Sequence, residues 1–173
     1  MRFYSCVLVA VVMISTCPGT SVSAAQASKE IKLTRDIKVI SSAGARALAD
    51  ACIAWAERNN TIVAMAILDW GGNVIESHAM EGAAANAIDT ALMKAKSPLR
   101  WRRATSETNQ LVRSGETLAP TLMEDFPQPG ALPIMLNGQV IGGGGVSTGD
   151  GEKCAQAAND AVFKGQAKSS GAR

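Results

Sequence analysis

The dipeptide Asn137-Gly138, which stands between two apolar runs, constrains the fold of this chain more than any other feature of the sequence. Residues 132–136 precede it and residues 139–146 follow it. A two-residue hairpin turn requires a positive φ at both central positions, and Asn followed by Gly adopts that conformation at little cost. The pattern therefore predicts an antiparallel β-hairpin centred on this dipeptide.

A second hairpin and three covering helices are predicted elsewhere in the chain. Residues 61–68 and 74–78 have the length and composition of two strands joined by a Gly-containing turn. Apolar residues at helical spacing predict helices over residues 45–56, 84–96 and about 152–163. Two hairpins form an antiparallel sheet that helices then cover, so the order of elements predicts one α+β domain.

A long connecting segment separates the second predicted helix from the hairpin centred on Asn137-Gly138. Residues 97–131 contain four prolines, and Pro98 is expected to end the middle helix because proline disfavours helical geometry in the residue before it. We expect at most a short helix near residues 106–113. A connecting segment this long inside a small domain more often forms a binding site or an interface than a passive linker.

Four consecutive glycines, residues 142–145, invite comparison with a phosphate-binding loop. They lack the Gly-Lys-Ser/Thr ending of such a loop and lie within a predicted strand. We therefore expect close backbone packing or close approach of a ligand at this run.

The first 27 residues have the composition of a secretory signal peptide. Arg2 supplies a positive charge, and residues 6–14 form an apolar run shorter than the roughly 20 residues that span a bilayer. We expect cleavage after Ala27, or after Ala24, with an N-terminal anchor as the alternative. Residues 28–173 would then be a single periplasmic or secreted domain without stable membrane insertion.

Composition and residue counts exclude several classes of function. A net charge of +2 and an aromatic content of 4% provide neither the basic face nor the stacking surfaces of a nucleic-acid-binding protein. The single histidine excludes a Ser-His-Asp triad and a polyhistidine metal site. Cys52 and Cys154 remain after signal removal, without zinc-site spacing. An oxidising compartment permits them to pair, but we expect two buried thiols on apolar helix faces.

His78 is a candidate metal ligand. It ends a predicted strand two residues before Met80, and imidazole and thioether are both axial ligands of haem iron. The alternative is a histidine whose ring is satisfied by hydrogen bonds at the end of a strand.

A basic cluster, Arg100-Trp101-Arg102-Arg103, is the second candidate. Guanidinium groups suit carboxylates such as haem propionates, and the Trp101 ring suits the face of a porphyrin. The alternative is a solvated helix end. Lys94 and Lys96 are interpreted as ordinary charges near the end of a helix.

Three segments in order resemble the GlcG/HbpS-like family of small haem-binding proteins, to which haem degradation is also ascribed. They are MAILDWGGNVIESHAMEGA (65–83), MKAK (93–96) and GALPIMLNGQVIGGGGVSTG (130–149). The resemblance implies a profilin-like α+β fold, exported members that bind haem, and a symmetric homo-oligomer with apolar helix faces between subunits. In family terms a threonine or a histidine contacts the ligand, and Thr105 and His78 are the matching residues. The chain departs from the family pattern at Glu81, where Asp is usual, and at Pro98.

The leading hypothesis is an exported protein that binds haem or another small planar ligand, for buffering, scavenging, sensing or degradation. Its pocket would be lined by aliphatic side chains and Met. His78, Met80 or Thr105 would lie near the iron, and the arginines of the basic cluster near the propionates. The competing hypotheses are a cofactor-independent enzyme for an organic acid or aromatic metabolite, using Glu81 or Asp69 as acid or base, and an interaction protein that acts as an oligomer.

Overall fold

A computed structural model describes residues 33–123, 125–148 and 150–163; the predicted signal peptide lies outside them. The helices are α1 (Ser42–Arg58), α2 (Ala87–Trp101), α3 (Thr105–Arg113), α4 (Ala119–Leu122) and α5 (Gly151–Val162), and the strands are β1 (Ala64–Asp69), β2 (Val74–Ala79), β3 (Ala131–Leu136) and β4 (Gln139–Ser147). All of them belong to the unit formed by Asp36–Arg173.

The four strands form one antiparallel sheet in the order β2-β1-β4-β3. Each predicted hairpin supplies two neighbouring strands, and the hairpins join through β1 and β4. Asn137 and Gly138 have φ angles of 50° and 78°, as the predicted turn requires. The predicted α+β class, with two hairpins covered by helices, is confirmed.

Helices cover both sides of the sheet. On one side, small and aliphatic residues of α1 and α5 form a buried core with Met65 and Ile67 of β1. On the other side, α2 crosses β4 and β1. The sheet therefore separates an α1/α5 side from an α2 side, and this division decides which candidate residues can meet.

The glycine run on β4 allows α2 to approach the sheet closely. A Cβ atom on Gly145 would lie 2.6 Å from the Ala95 amide nitrogen and still closer to the Ala91 carbonyl oxygen. A Cβ atom on Gly143 would also collide with the Ala95 carbonyl oxygen. The expectation of close backbone packing is confirmed at these two positions.

The structure links Cys52 of α1 to Cys154 of α5 by a disulfide, which corrects the expectation of two buried thiols. Their Cα atoms are 5.1 Å apart, a separation suited to a disulfide, and both residues are fully buried. The two apolar helix faces were identified correctly, but periodicity does not reveal that the faces pack against each other.

The expectation that Pro98 ends the second helix is also wrong. Helix α2 continues to Trp101, and the Arg102 amide closes its last turn by donating to the Pro98 carbonyl oxygen at 3.0 Å. Pro98 is fully buried, and the adjacent Ser97 hydroxyl donates to Asp125 at 2.6 Å. Packing and this long-range hydrogen bond outweigh the local cost of a proline inside a helix.

Candidate ligand-binding site

A buried carboxylate holds the predicted basic cluster in place at the carboxyl end of α2. The side chain of Asp125 is 1% exposed and accepts hydrogen bonds from Ser97 Oγ at 2.6 Å and Trp101 Nε1 at 2.9 Å. Arg100 Nη1 lies 3.5 Å from this carboxylate and donates to the Met123 carbonyl oxygen at 3.3 Å. Asp125 therefore fastens the segment after α4 to α2 and neutralises part of the charge of Arg100.

Arg102 and Arg103 extend the cluster into solvent. Arg102 adopts a left-handed conformation with φ 54°, and Arg103 Nε donates to the Trp101 carbonyl oxygen at 3.3 Å. Within residues 33–123, 125–148 and 150–163, neither guanidinium has an ion-pair partner. Both are therefore able to receive an anionic ligand.

Exposed apolar side chains lie on the segment that contacts Arg100. Leu122 is 81% exposed and Met123 54% exposed, and Leu118 at the start of α4 is also exposed. The hydrogen bond from Arg100 to Met123 joins this apolar segment to the basic cluster. We call the combined region the α2–α4 surface; it comprises Arg100, Arg102, Arg103, Leu118, Leu122 and Met123.

His78 and Met80 occupy a different part of the molecule. His78 is half-buried on the edge strand β2, directly opposite Met65, so both side chains face the α1/α5 side. Met80 follows β2, donates its amide to the Val63 carbonyl oxygen at 3.0 Å and packs against the same core. His78 and Met80 thus both lie on the α1/α5 side of the sheet, and their role as ligands stays a prediction.

The structure does not bring His78 to Thr105 or to the arginines. Across the sheet His78 pairs with Met65, and Met65 pairs with Val146. The Val146 amide then donates to the Gly130 carbonyl oxygen at 2.8 Å. These three inter-strand steps amount to about 14 Å. Thr105 lies at the Gly130 end of this row of neighbouring residues, and His78 lies at the other end. The α2–α4 surface, moreover, belongs to the other side of the sheet.

Thr105 has its hydroxyl fully engaged inside the protein. The residue is 0% exposed. Its Oγ1 accepts from the Ala131 amide at 2.9 Å and lies 2.9 Å from Glu152 Oε1, to which it donates. The same carboxylate oxygen accepts the Ser106 amide at 2.7 Å, at the start of α3. A ligand that binds this hydroxyl must compete with its hydrogen bonds to Ala131 and to Glu152, a residue that the sequence patterns did not single out.

Lys94 is buried, which corrects its interpretation as an ordinary charge near a helix end. It is 7% exposed and its Nζ donates to the Val146 carbonyl oxygen at 3.3 Å. Burial lowers the pKa of Lys94, and the negative charge of Glu152 offsets part of that shift. Lys96 is exposed, as expected of a surface charge. The spacing of Lys94 with the buried Ala91 and Ala95 is the signal that could have placed it inside.

The two carboxylates of the enzyme hypothesis have simpler surroundings. Asp69 accepts hydrogen bonds from the Asn73 amide at 2.8 Å and from its side chain at 3.0 Å. The Asn73 side chain holds the pKa of Asp69 below its usual range, so this carboxylate stabilises the β1–β2 turn and is a weak proton acceptor. Glu81 is exposed in the turn after Met80.

The interior of the chain contains little free space in the region between the α1/α5 helices and the sheet. A cavity of about 10 Å³ lies there, lined by apolar residues that include Leu48, Met65 and Val146. It is large enough for one water molecule at most. The aliphatic pocket expected for a planar ligand is therefore not in this core, and the α2–α4 surface becomes the principal candidate.

Two further observations concern the described part of the chain. It contains no helix long and apolar enough to cross a membrane. It also contains no group of three or more His, Cys, Asp or Glu side chains able to hold a metal ion. Fold and site together define the class: an α+β domain in which helices sandwich a four-stranded antiparallel sheet and leave a basic and apolar surface at one helix end.

The chain belongs to the HbpS-like family. The family model described as "Haem degrading protein HbpS-like" matches residues 40–162, which include every helix and strand given above. An uncharacterized 15.0 kDa protein from the dhaT-dhaS intergenic region of Citrobacter freundii is 32% identical over 124 residues, covering 69% of this chain and 87% of that protein. Protein GlcG of Escherichia coli K12 is 32% identical over 92 residues, covering 53% of this chain and 69% of GlcG.

Solved structures share the fold. Klebsiella pneumoniae protein ORFY has a TM-score of 0.71 and 29% identity, covering 78% of this chain and 97% of its own. HbpS has a TM-score of 0.67 and 26% identity, covering 76% and 94%. PduOC in complex with haem, at a TM-score of 0.63 and 23% identity over 72% and 94% of the two chains, shows similarity of fold.

Proposed function

We propose that this chain is an exported haem-binding protein and that haem docks on the α2–α4 surface. The observation that carries the proposal is the hydrogen bond from Arg100 to Met123, which joins the exposed apolar residues around α4 to a cluster whose Arg102 and Arg103 have no ion-pair partner in the described chain. Family membership and the haem complex of PduOC support the choice of ligand.

The residues of this surface fit the chemistry of haem. Haem combines an apolar macrocycle with two carboxylates, and bidentate guanidinium groups are well suited to carboxylates. Leu118 and Leu122 offer apolar area to the macrocycle, while Arg102 and Arg103 would hold the propionates. Arg100, partly neutralised by Asp125, would contribute less. When bound, haem supplies a redox-active iron; the protein residues bind it, orient it and limit its contact with water.

Two side chains compete for the iron. The Met123 thioether is exposed on the same surface, and thioethers ligate haem iron. His78 lies on the opposite side of the sheet, so it can reach a haem on this surface only from a second copy of the chain. A homo-oligomer in which His78 of one copy faces the arginines of another would unite the residues that a single chain separates.

Export is supported by the disulfide. Disulfides form and persist in oxidising compartments such as the periplasm and the extracellular space, and the Cys52–Cys154 bond is fully buried between two helices. This agrees with the signal-like composition of the first 27 residues. A periplasmic or secreted haem-binding protein would buffer, scavenge or sense haem, and haem degradation is the further role that the family name suggests.

A haemin titration of the chain lacking residues 1–27 tests the proposal. We expect a shifted Soret band and, in the double variant Arg102→Gln, Arg103→Gln, an apparent Kd at least about ten-fold weaker, because each lost charge-assisted hydrogen bond is worth about 1.5–3 kcal/mol. Arg113→Gln, at the exposed end of α3, is the matched control and should bind as the parent chain does. Absence of a Soret shift in the parent chain would refute haem binding.

The ligand to iron is tested separately. Histidine-ligated and methionine-ligated haem have different visible and magnetic circular dichroism spectra. If Met123 ligates, Met123→Leu changes the spectrum and His78→Ala does not, and the monomer binds. If His78 ligates, His78→Ala changes it, and haem binding depends on protein concentration because two copies must associate. Retention of the parent spectrum in both variants would contradict both assignments.

A further inference from the structure

The outer edge of the sheet at β2 is not protected against pairing with another strand. Strand order places β2 and β3 at the two edges. The β3 edge contains Pro133, which has no amide hydrogen to donate, whereas β2 contains neither Pro nor Lys, the residues that commonly prevent edge-to-edge contact. Val74, Ser77 and Ala79 of β2 are exposed, and among the described residues no other strand lies along this edge. A further strand can therefore add to the sheet at β2.

The alternation of backbone groups determines which residues of β2 could bond to such a strand. The Met80 amide donates to the Val63 carbonyl oxygen at 3.0 Å, toward β1. Because backbone groups alternate along an antiparallel strand, those of His78 also point toward β1, and those of Ser77 and Ala79 point to the outer edge. Ser77 can thus exchange two hydrogen bonds with a residue of a second strand.

Charge selects one register for two copies of β2 that are related by a two-fold axis. Registers that keep most of β2 paired through its outward backbone groups place the axis at Glu76, Ser77 or His78. An axis at Glu76 would oppose two carboxylates, which is destabilising. An axis at His78 would oppose two imidazoles and leave Glu76 opposite Met80. Only an axis at Ser77 places each Glu76 opposite His78 of the second copy.

The side chains of Glu76 and His78 suit each other in this register. Both lie on the α1/α5 side of the sheet, opposite Ile67 and Met65 of β1. Facing residues of a non-hydrogen-bonded pair have Cα atoms about 4.5 Å apart, so an imidazole N–H can reach the carboxylate. Within the described residues no hydrogen bond or ion pair engages His78. Glu76 already holds Arg46 of α1 at 3.0 Å, so the contact would extend an existing ion pair, and symmetry would make it twice.

Exposed apolar side chains at the two ends of β2 favour the same arrangement. Val74, at the start of the strand, is 53% exposed. Ile62, which is 51% exposed, lies against Gly82, just beyond the end of the strand. Antiparallel pairing brings the start of one β2 to the end of the other, so Val74 of each copy approaches the region of Ile62 in the second copy. Association would then remove apolar area from water at both ends.

We propose that two copies of this chain associate through antiparallel pairing of β2 about a two-fold axis at Ser77. The product is a continuous sheet of eight strands, four from each copy. The contact is isologous and closes on itself, so it does not propagate into fibres. It differs from the helix-face contacts that the family resemblance implies. In this dimer Glu76 engages His78, which favours Met123 as the iron ligand of the proposed haem site.

Sedimentation velocity without haem tests the contact on the oxidised chain from residue 28 onward, which keeps every described helix and strand. At about 100 μM, well above the micromolar Kd of weak standard-size interfaces, we expect dimers or larger even-numbered assemblies built from them. Ser77→Pro removes the central outward donor without touching the β1 ladder, so the mass should fall to half that of the parent chain. Ser77→Ala keeps the amide and, as the matched control, should keep the parent mass. A monomeric parent chain, or an unchanged mass in folded Ser77→Pro, overturns the proposal.

A pair of substitutions at one position tests the register. His78→Glu opposes two carboxylates at two symmetric places, so the dissociation constant of the dimer should rise at least about ten-fold. His78→Lys places an ammonium group opposite each Glu76 and should keep the parent constant or lower it. Both variants lose the imidazole, so only the sign of the charge distinguishes them, and equal constants refute the register.

These two variants also decide the proposal if Ser77→Pro does not fold. Dimerisation is measured by mass in the absence of haem, and haem binding by the Soret band and by variants of Arg102 and Arg103. Either proposal can therefore fail without the other.

Discussion

Adding one methyl group to Gly145 should destabilise the domain by pushing α2 away from the sheet. In Gly145→Ala the new Cβ would lie 2.6 Å from the Ala95 amide nitrogen and 3.0 Å from its Cα, and closer still to the Ala91 carbonyl oxygen. All three atoms belong to the helix backbone, so no side-chain rotation relieves the contact. The backbone of Gly145 itself is not in the left-handed region, so the cost comes from packing and not from φ.

The magnitude follows from two opposing effects. Overpacking a well-filled site by one carbon costs about 1–3 kcal/mol, and a collision with backbone atoms belongs at the upper end. Replacing glycine by alanine also stabilises the folded state by about 0.4–1 kcal/mol, because the unfolded chain becomes less flexible. We therefore expect a net loss of about 2 kcal/mol in the free energy of unfolding. With a urea m-value of about 2 kcal/mol/M, the midpoint should fall by about 1 M.

The neighbouring glycine supplies the control. Gly144 lies on the other side of β4 and lines the small cavity, where a Cβ atom would come no closer than 3.9 Å to Ile134. Gly144→Ala should be neutral or stabilise by about 0.5 kcal/mol. Urea denaturation followed by circular dichroism measures both variants. Equal destabilisation by the two substitutions, or none by Gly145→Ala, would refute the assignment of α2 to the face that carries Gly145.

Three further predictions concern long-range contacts. Replacing both Cys52 and Cys154 by Ser opens a link across 102 residues and should lower the free energy of unfolding by about 2–5 kcal/mol; the native oxidised chain should show neither thiol to a thiol reagent. Asp125→Asn should lower stability by about 2 kcal/mol and shift the emission maximum of Trp101, whose indole N–H loses its charged acceptor. Burial lowers the pKa of Lys94 in the folded state, so the unfolded chain holds this proton more tightly and stability rises with pH between the folded pKa and about 10.4. In Lys94→Met the rise in urea midpoint over that pH window should be smaller. An unchanged rise would show that Lys94 is not the group responsible for it.

Local signals in the sequence predicted the elements well, because each depends on residues that are neighbours in the chain. The turn at Asn137 and Gly138 is specified by the φ angles that those two residues tolerate. The spacing of small apolar residues predicted α1 and α5, and the structure places helices there. The glycine run was read correctly as a place of close backbone approach because glycine lacks the atom that would prevent it.

Contacts between distant residues were not predictable in the same way. The preference of Pro98 for ending a helix is local, and the structure overrides it with packing and with the hydrogen bond between Ser97 and Asp125. The burial of Lys94 was missed because a lysine was interpreted by its charge, although its spacing with Ala91 and Ala95 places it on the buried stripe of α2. Cys52 and Cys154 were placed on the correct helix faces, but their pairing depends on how α1 and α5 cross.

Strand order is the step that separates the predicted site residues. Each hairpin can be identified alone, but two hairpins can join through either strand of each, and the sequence does not say which. Joining through β1 and β4 puts β2 and β3 at opposite edges, with His78 at one and the residues around Thr105 at the other, about 14 Å apart. Had β2 paired with β3, these residues would have been neighbours. Because β1 and β4 join the hairpins instead, any ligand held by both His78 and the arginines must lie between two copies of the chain, and concentration dependence becomes the measurement that distinguishes a shared site from a site on one chain.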